Sequence, residues 1–210
     1  MEYLISSVIG YLFGSIPAAY LLTKRIKGID ITKNGSGNVG AFNSFRVTRS
    51  KLIGILVLMV DFFKGAFSAG VLIFLFPENF IYPALSVFFA VLSHCFNPWL
   101  GFKGGRGLAT AAGGAAVIFP FLLVVWTILW VIFYLMRKNV LFSNIAATIL
   151  SLLIVYNTIE IAIKYTYPKT DDVSSVVFVS TSILVLILIK HIDPLKELVI
   201  EQKTKRVIKK

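Results

Sequence analysis

Six long apolar runs constrain this chain more than any other feature: Leu4–Leu22, Leu52–Phe76, Ile81–Phe96, Leu108–Met136, Leu141–Glu160 and Val173–Ile189. A membrane-crossing helix needs about 20 apolar residues, and a soluble domain of 210 residues could not bury six such runs. Hydrophobic residues make up 57% of the chain and charged residues only 15%. The expected class is therefore an all-α integral membrane protein, one polytopic domain over residues 1–210, ending in a basic cytoplasmic tail from about residue 199. The start, Met1-Glu2-Tyr3, lacks the positive region of a signal peptide, so the first apolar run should stay as a span. A single cysteine, Cys95, excludes an internal disulfide, and its apolar flanks read as packing.

Charge gives the topology. The formal net charge is +11, from 21 Lys and Arg against 10 Asp and Glu. In a membrane protein that excess reports cytoplasmic loops or loops that handle anions, not nucleic acid. The loop after the first run holds Lys24, Arg25, Lys27, Lys33, Arg46, Arg49 and Lys51 against Asp30, and the tail is as basic. Both are expected inside, so an even number of crossings must separate them. Five runs lie between, and the one from Leu108 to Met136 contains Gly113-Gly114 and Phe119-Pro120, where a chain can break or turn. If that run crosses twice, the count is seven spans, with the N-terminus outside and the C-terminus cytoplasmic.

Three polar stretches then face the cytoplasm. The first contains Gly35, Gly37 and Gly40 in the spacing G-x-G-x-x-G, with Asp61 downstream, which is the form of a dinucleotide fingerprint. That fingerprint needs a strand before it and a soluble βαβ unit around it. Lys24 to Asn34 is basic and polar, and Asp61 lies inside an apolar run, so the fingerprint fails. Two readings remain: a phosphate cradle built from Ser36, Asn38, Gly40, Asn43 and Arg46, or a solvated glycine-rich turn. The second stretch, His94 to Thr110, contains Lys103-Gly104-Gly105-Arg106-Gly107. It has the composition of an anion nest without P-loop spacing, which argues against nucleotide hydrolysis. Phe96, Trp99 and Phe102 fit an interfacial belt or an acyl-chain contact. The third stretch, Lys190 to Leu198, places His191 at the end of the last span, as a cap or a phosphate contact. Within Leu52–Phe76, Asp61 and Lys64 lie three residues apart on one helix face, as a structural pair or as a support that orients the loops above.

These motifs resemble one family. Gly-Ser-Gly-Asn-Val-Gly-Ala-x-Asn-x-x-Arg at 35–46, Asp-x-x-Lys-Gly at 61–65, Gly-Phe-Lys-Gly-Gly-Arg-Gly-Leu-Ala-Thr at 101–110 and a histidine near the C-terminus are similar, in order and over nearly the whole chain, to the bacterial acyl-phosphate:glycerol-3-phosphate acyltransferases. The resemblance implies seven helices in the bacterial inner membrane with the site on the cytoplasmic side. It implies transfer of a fatty acyl group from acyl phosphate to the 1-position of glycerol 3-phosphate, giving lysophosphatidic acid and phosphate in phospholipid biosynthesis. By position it makes Ser36 and His191 the expected catalytic residues. It makes Asn38, Gly40, Asn43, Arg46, Lys103, Gly104, Gly105 and Arg106 the expected phosphate-binding residues. The expected partners are the two substrates and membrane lipids.

The chain departs from the family pattern at three places. Arg106 stands where lysine is usual, Asn97 where proline is usual, and the third motif reads His191-Ile192-Asp193-Pro194-Leu195-Lys196-Glu197 in place of His-x-x-Asn-[Ile/Leu]-x-Arg. Pro194 removes a neutral donor and Glu197 reverses a charge.

No Ser-His-Asp order, metal cluster or cofactor motif is present, and His94 lacks the aspartate of His-x-x-x-x-Asp acyltransferases. Acyl phosphate is already activated, so positioning and charge stabilisation can supply much of the rate. The alternatives are a divergent member with lost or changed activity, and a small transporter of organic phosphates.

Overall fold

The computed structural model describes residues 1–208, with side chains as far as Lys196. It is helical: α1 (Glu2–Gly14), α2 (Ala18–Lys27), α3 (Ala41–Thr48), α4 (Lys51–Leu75), α5 (Ile81–Cys95), α6 (Leu108–Ile118), α7 (Pro120–Arg137), α8 (Val140–Asn157), α9 (Ile159–Ala162) and α10 (Val173–Ile208). Among the described residues, six stretches are long and apolar enough to cross a membrane: Glu2–Lys27, Lys51–Leu75, Ile81–Leu100, Pro120–Arg137, Val140–Asn157 and Val173–Lys196.

Helix contacts follow from small residues. Gly10 and Gly14 let α1 lie against α5 so closely that a β-carbon on either would come within 2.0 Å of the Ser86 or Ala90 carbonyl. Gly65 and Gly113 do the same between α4 and α6, where the clashes would be with the carbonyls of Thr110 and Phe62. In lipid, where apolar surface gains nothing by leaving water, such backbone approach is a main source of helix association. An apolar core joins α5, α6 and α10 through Val87, Val91, Ile118, Ile183 and Ile187.

The breaks in these helices matter most. The first apolar run lies in one candidate span, Glu2–Lys27, as expected, but that span is built from two helices. Pro17 has no N–H to continue the ladder, and α1 stops at Gly14 before α2 resumes at Ala18. The run from Leu108 splits at Phe119, with Pro120 at the first position of α7, where a missing N–H costs nothing. There the chain reverses. The Ile118 carbonyl accepts from Tyr167 N at 2.9 Å, while α7 returns so that Trp130 reaches Asn144, which in turn reaches His191. α6 has only 11 residues, about 16 Å at 1.5 Å per residue and so half the hydrocarbon thickness. The last helix does not close at His191 either: α10 continues to Ile208 with Pro194 inside it.

Candidate active site

Three helix ends meet at one depth. α1 stops at Gly14, α5 stops at Cys95 and α6 begins at Leu108, all around the middle of α4. Each end leaves backbone groups without intrahelical partners. Buried side chains take them up: Asn97 Nδ2 donates to the Ser15 carbonyl at 2.8 Å, and Lys64 Nζ donates to the Ile16 carbonyl at 3.2 Å. Lys64 also pairs with Asp61 Oδ1 at 2.9 Å and contacts His94 Nδ1 at 2.7 Å. Asp61 and Lys64 are each only 3% exposed. The pair expected from the sequence is present, and it forms the polar floor of the site.

Above this floor lies the first glycine loop. Gly35 and Gly37 take left-handed φ of 63° and 67°, which turns the chain back on itself. Asn43 holds that turn: its Oδ1 accepts from Ser36 N at 3.1 Å, and its Nδ2 donates to the carbonyls of Asn34 at 3.1 Å and Asn38 at 3.0 Å. Both amide hydrogens are therefore spent, and the side chain is buried. Asn43 shapes the loop in this structure and has no donor left for a phosphate, a correction to its expected binding role. Gly40 caps α3, and its carbonyl accepts from Ser44. The side chains of Ser36 and Arg46 are exposed, and Arg46 makes no ion pair among the described residues. Nearby, hydrogen bonds from the Thr32 hydroxyl and N–H to Asp30 hold that carboxyl below its ordinary pKa.

The second loop lies against the first. Val39 N donates to the Gly104 carbonyl at 3.3 Å, and Gly105 N to the His94 carbonyl at 3.1 Å. Lys103 is exposed and Arg106 half-buried. The third segment comes to the same place: Lys190 Nζ lies 4.6 Å from the centre of the Phe96 ring, and a β-carbon on Gly107 would lie 3.6 Å from Ile187 Cγ1.

His191 is 1% exposed. Its Nδ1 lies 2.8 Å from the Ile187 carbonyl, so it must donate there, and Nε2 lies 3.2 Å from the Asn144 amide, from which it can accept. Trp130 Nε1 donates to Asn144 Oδ1 at 2.7 Å. The ring is therefore fixed, neutral and fully partnered. The sequence placed it at the end of the last span, as a cap or a phosphate contact; the structure buries it inside α10. No contact joins it to Ser36 among the described residues. Pro194 sits in the helix with no N–H for the Lys190 carbonyl, and the Glu197 side chain lies outside the described residues.

Sequence reasoning missed His94, Asn97, Asn144 and the break at Pro17. The signals were present: a proline inside an apolar run, and an asparagine inside a span, where a polar group needs a partner.

An apolar cleft runs from Leu108 and Ile187, beside the second loop, down to Phe80 and Phe119. Its walls include Ala111, Ala115 and Ile183.

A multi-pass helical membrane protein with two basic glycine loops above an apolar cleft defines the class. The family model of glycerol-3-phosphate acyltransferase matches residues 4–201, and the chain belongs to that family. A glycerol-3-phosphate acyltransferase of Pelagibacter ubique is 34% identical over 208 residues, spanning 99% of this chain and all of that one. One from Bartonella henselae is 34% identical over 200 residues, spanning 94% and 89%. The fold is similar to crystal structures of PlsY (YgiH), an integral membrane glycerol 3-phosphate acyltransferase. The glycerol 3-phosphate form gives a TM-score of 0.80 at 29% identity, covering 96% of this chain and 94% of that one. The lysophosphatidic acid form gives 0.78 at 29% identity, covering 96% and 93%.

Proposed function

We propose that this chain transfers a fatty acyl group from acyl phosphate to the 1-position of glycerol 3-phosphate, releasing lysophosphatidic acid and inorganic phosphate. The observation that carries this reading is the junction of the two glycine loops at Val39 and Gly104, which joins the segments that bear Arg46, Lys103 and Arg106 close to Leu108, in the wall of an apolar cleft. Two substrates, each with a phosphate, need several cations, and the fatty chain needs an apolar path beside them. The N-terminus of α6, which has no side-chain cap, adds backbone donors at the same place.

The chemistry is one displacement. The 1-hydroxyl oxygen of glycerol 3-phosphate bonds to the acyl carbon, the bond from that carbon to the phosphate oxygen breaks, and phosphate leaves with the electron pair. The hydroxyl proton passes to a substrate phosphate oxygen. Ser36 orients the hydroxyl; His191, its ring nitrogens engaged, orients Arg106 and its surroundings rather than acting as the base. Arg46, Lys103, Arg106 and the amides around Asn38 and Gly104–Gly105 bind phosphate, and charge stabilisation of this kind carries much of the rate in such sites.

The proposed setting is the bacterial inner membrane, with the loops on the cytoplasmic side, the N-terminus outside and the C-terminus inside. In that arrangement α6 is a short seventh span, and the loop before it dips to the level of Lys64.

The test is a product assay in nanodiscs. Palmitoyl phosphate with labelled glycerol 3-phosphate yields lysophosphatidic acid, and palmitoyl-CoA as sole donor does not. Activity with palmitoyl-CoA alone overturns the donor. Counterflow of glycerol 3-phosphate in liposomes without product overturns the acyltransferase reading.

A further inference from the structure

A lysine buried in a membrane helix needs a reason, because such charges are expensive and mark functional sites. Lys64 has three ammonium hydrogens and three acceptors: Asp61 Oδ1 at 2.9 Å, the Ile16 carbonyl at 3.2 Å and His94 Nδ1 at 2.7 Å. An ammonium only donates, so Nδ1 accepts, and the single N–H of the neutral imidazole is on Nε2. Lys64 thus fixes both the position and the tautomer of a ring that is itself only 6% exposed.

The other edge of that ring touches the second loop. A β-carbon at residue 105 would lie 2.1 Å from His94 Nε2 and 2.7 Å from Cε1, so the imidazole fills the space a side chain there would need. The His94 carbonyl takes the Gly105 N–H at 3.1 Å, and the Gly104 carbonyl takes the Val39 N–H at 3.3 Å. A continuous chain of contacts therefore runs from the Asp61–Lys64 pair through His94 into both glycine loops.

We infer that His94 is a positioning residue for the phosphate-bearing substrate. Held by Lys64, its ring sets the Gly104–Gly105 segment, and through it the placement of Lys103 and Arg106 against the loop that carries Ser36 and Arg46. This deepens the proposed acyl transfer and rests on it. It also gives the buried pair a purpose: it fixes the frame that holds the exposed cations.

Three substitutions separate the parts. Asparagine places an amide oxygen near the position of Nδ1 and keeps an acceptor for Lys64. Glutamine reaches towards Nε2 and leaves the Nδ1 position without one, and leucine supplies neither. His94→Leu and His94→Gln raise the KM for glycerol 3-phosphate at least tenfold, while kcat falls less than threefold. His94→Asn keeps the acceptor for Lys64 but loses the ring edge against residue 105, so its KM falls between native and the Leu variant. A second readout needs no activity: in limited trypsin digestion in nanodiscs, the cut after Lys103, identified by mass, is at least fivefold faster in the Leu and Gln variants and intermediate in the Asn variant. Unchanged KM and cleavage in His94→Leu overturn the inference, as does an Asn variant that behaves like the Leu variant. If the Leu variant does not insert, the Gln and Asn pair decides in the same way. A native chain that makes no lysophosphatidic acid defeats the proposed function, and the cleavage rates still decide the role of His94.

Discussion

The glycine loops and the buried floor beneath them both carry cations, and they use them in opposite ways. In the floor, every hydrogen of Lys64 has an acceptor within 3.2 Å, and Asp61 supplies the countercharge. In the loops, Arg46 and Lys103 are exposed and pair with no acid among the described residues. A charge that is matched inside the protein holds structure, and a charge kept away from acids is ready for an anion. The same contrast divides the two asparagines of the first loop. Asn43 is spent on the backbone, while the Asn38 side chain makes no hydrogen bond among the described residues, so only the latter remains for a ligand.

The largest effect that can break this contrast comes from the floor. Lys64→Leu leaves Asp61 buried without its countercharge, and removing one partner of a buried pair typically costs about 3–5 kcal/mol. The variant should lose most of its thermal stability in detergent, and the double variant Asp61→Leu with Lys64→Leu should recover much of it. A single variant with native Tm would show that the pair does not hold the fold.

In the loops the effect falls on binding and not on stability. Arg46→Ala should raise the KM for glycerol 3-phosphate by one to two decades, the loss of a charge-assisted contact worth about 1.5–3 kcal/mol, with Tm unchanged. Arg46→Lys should recover only part, because a point charge cannot reproduce the fork of a guanidinium. An unchanged KM in Arg46→Ala would move that residue out of the site.

Much of the fold was legible because apolar length is a property of single segments. The break at Phe119-Pro120 could be placed for that reason: proline acts locally. The floor could not be seen, because it depends on contacts between residues distant in the chain. Lys64 meets Ile16 and His94, and Asn97 meets Ser15. A run of sequence shows that a buried charge needs a partner without showing which one it finds. The extent of α10 was missed for a related reason. Charge marks where the bilayer should end, but a helix can continue beyond it, here through Pro194.

The smallest expected effect concerns that last segment. Pro194→Asn restores an N–H to the helix, and Glu197→Arg replaces an acid with a cation. Together they should raise activity above the native chain, mainly through a lower KM, and the gain should shrink at high salt as screening grows. A double variant that inserts and shows equal or lower activity would mean that this chain has rebuilt its third segment around other groups. Asp193 and Lys196, 3.9 Å apart on the exposed face, are the first to examine.

The most direct measurement is the structure of this chain with glycerol 3-phosphate bound. The account predicts the phosphate between the two glycine loops, within hydrogen-bond distance of Arg46 and of Lys103 or Arg106, while Lys64 keeps Asp61, the Ile16 carbonyl and His94. A phosphate bound by Lys64, or bound away from both loops, would contradict it.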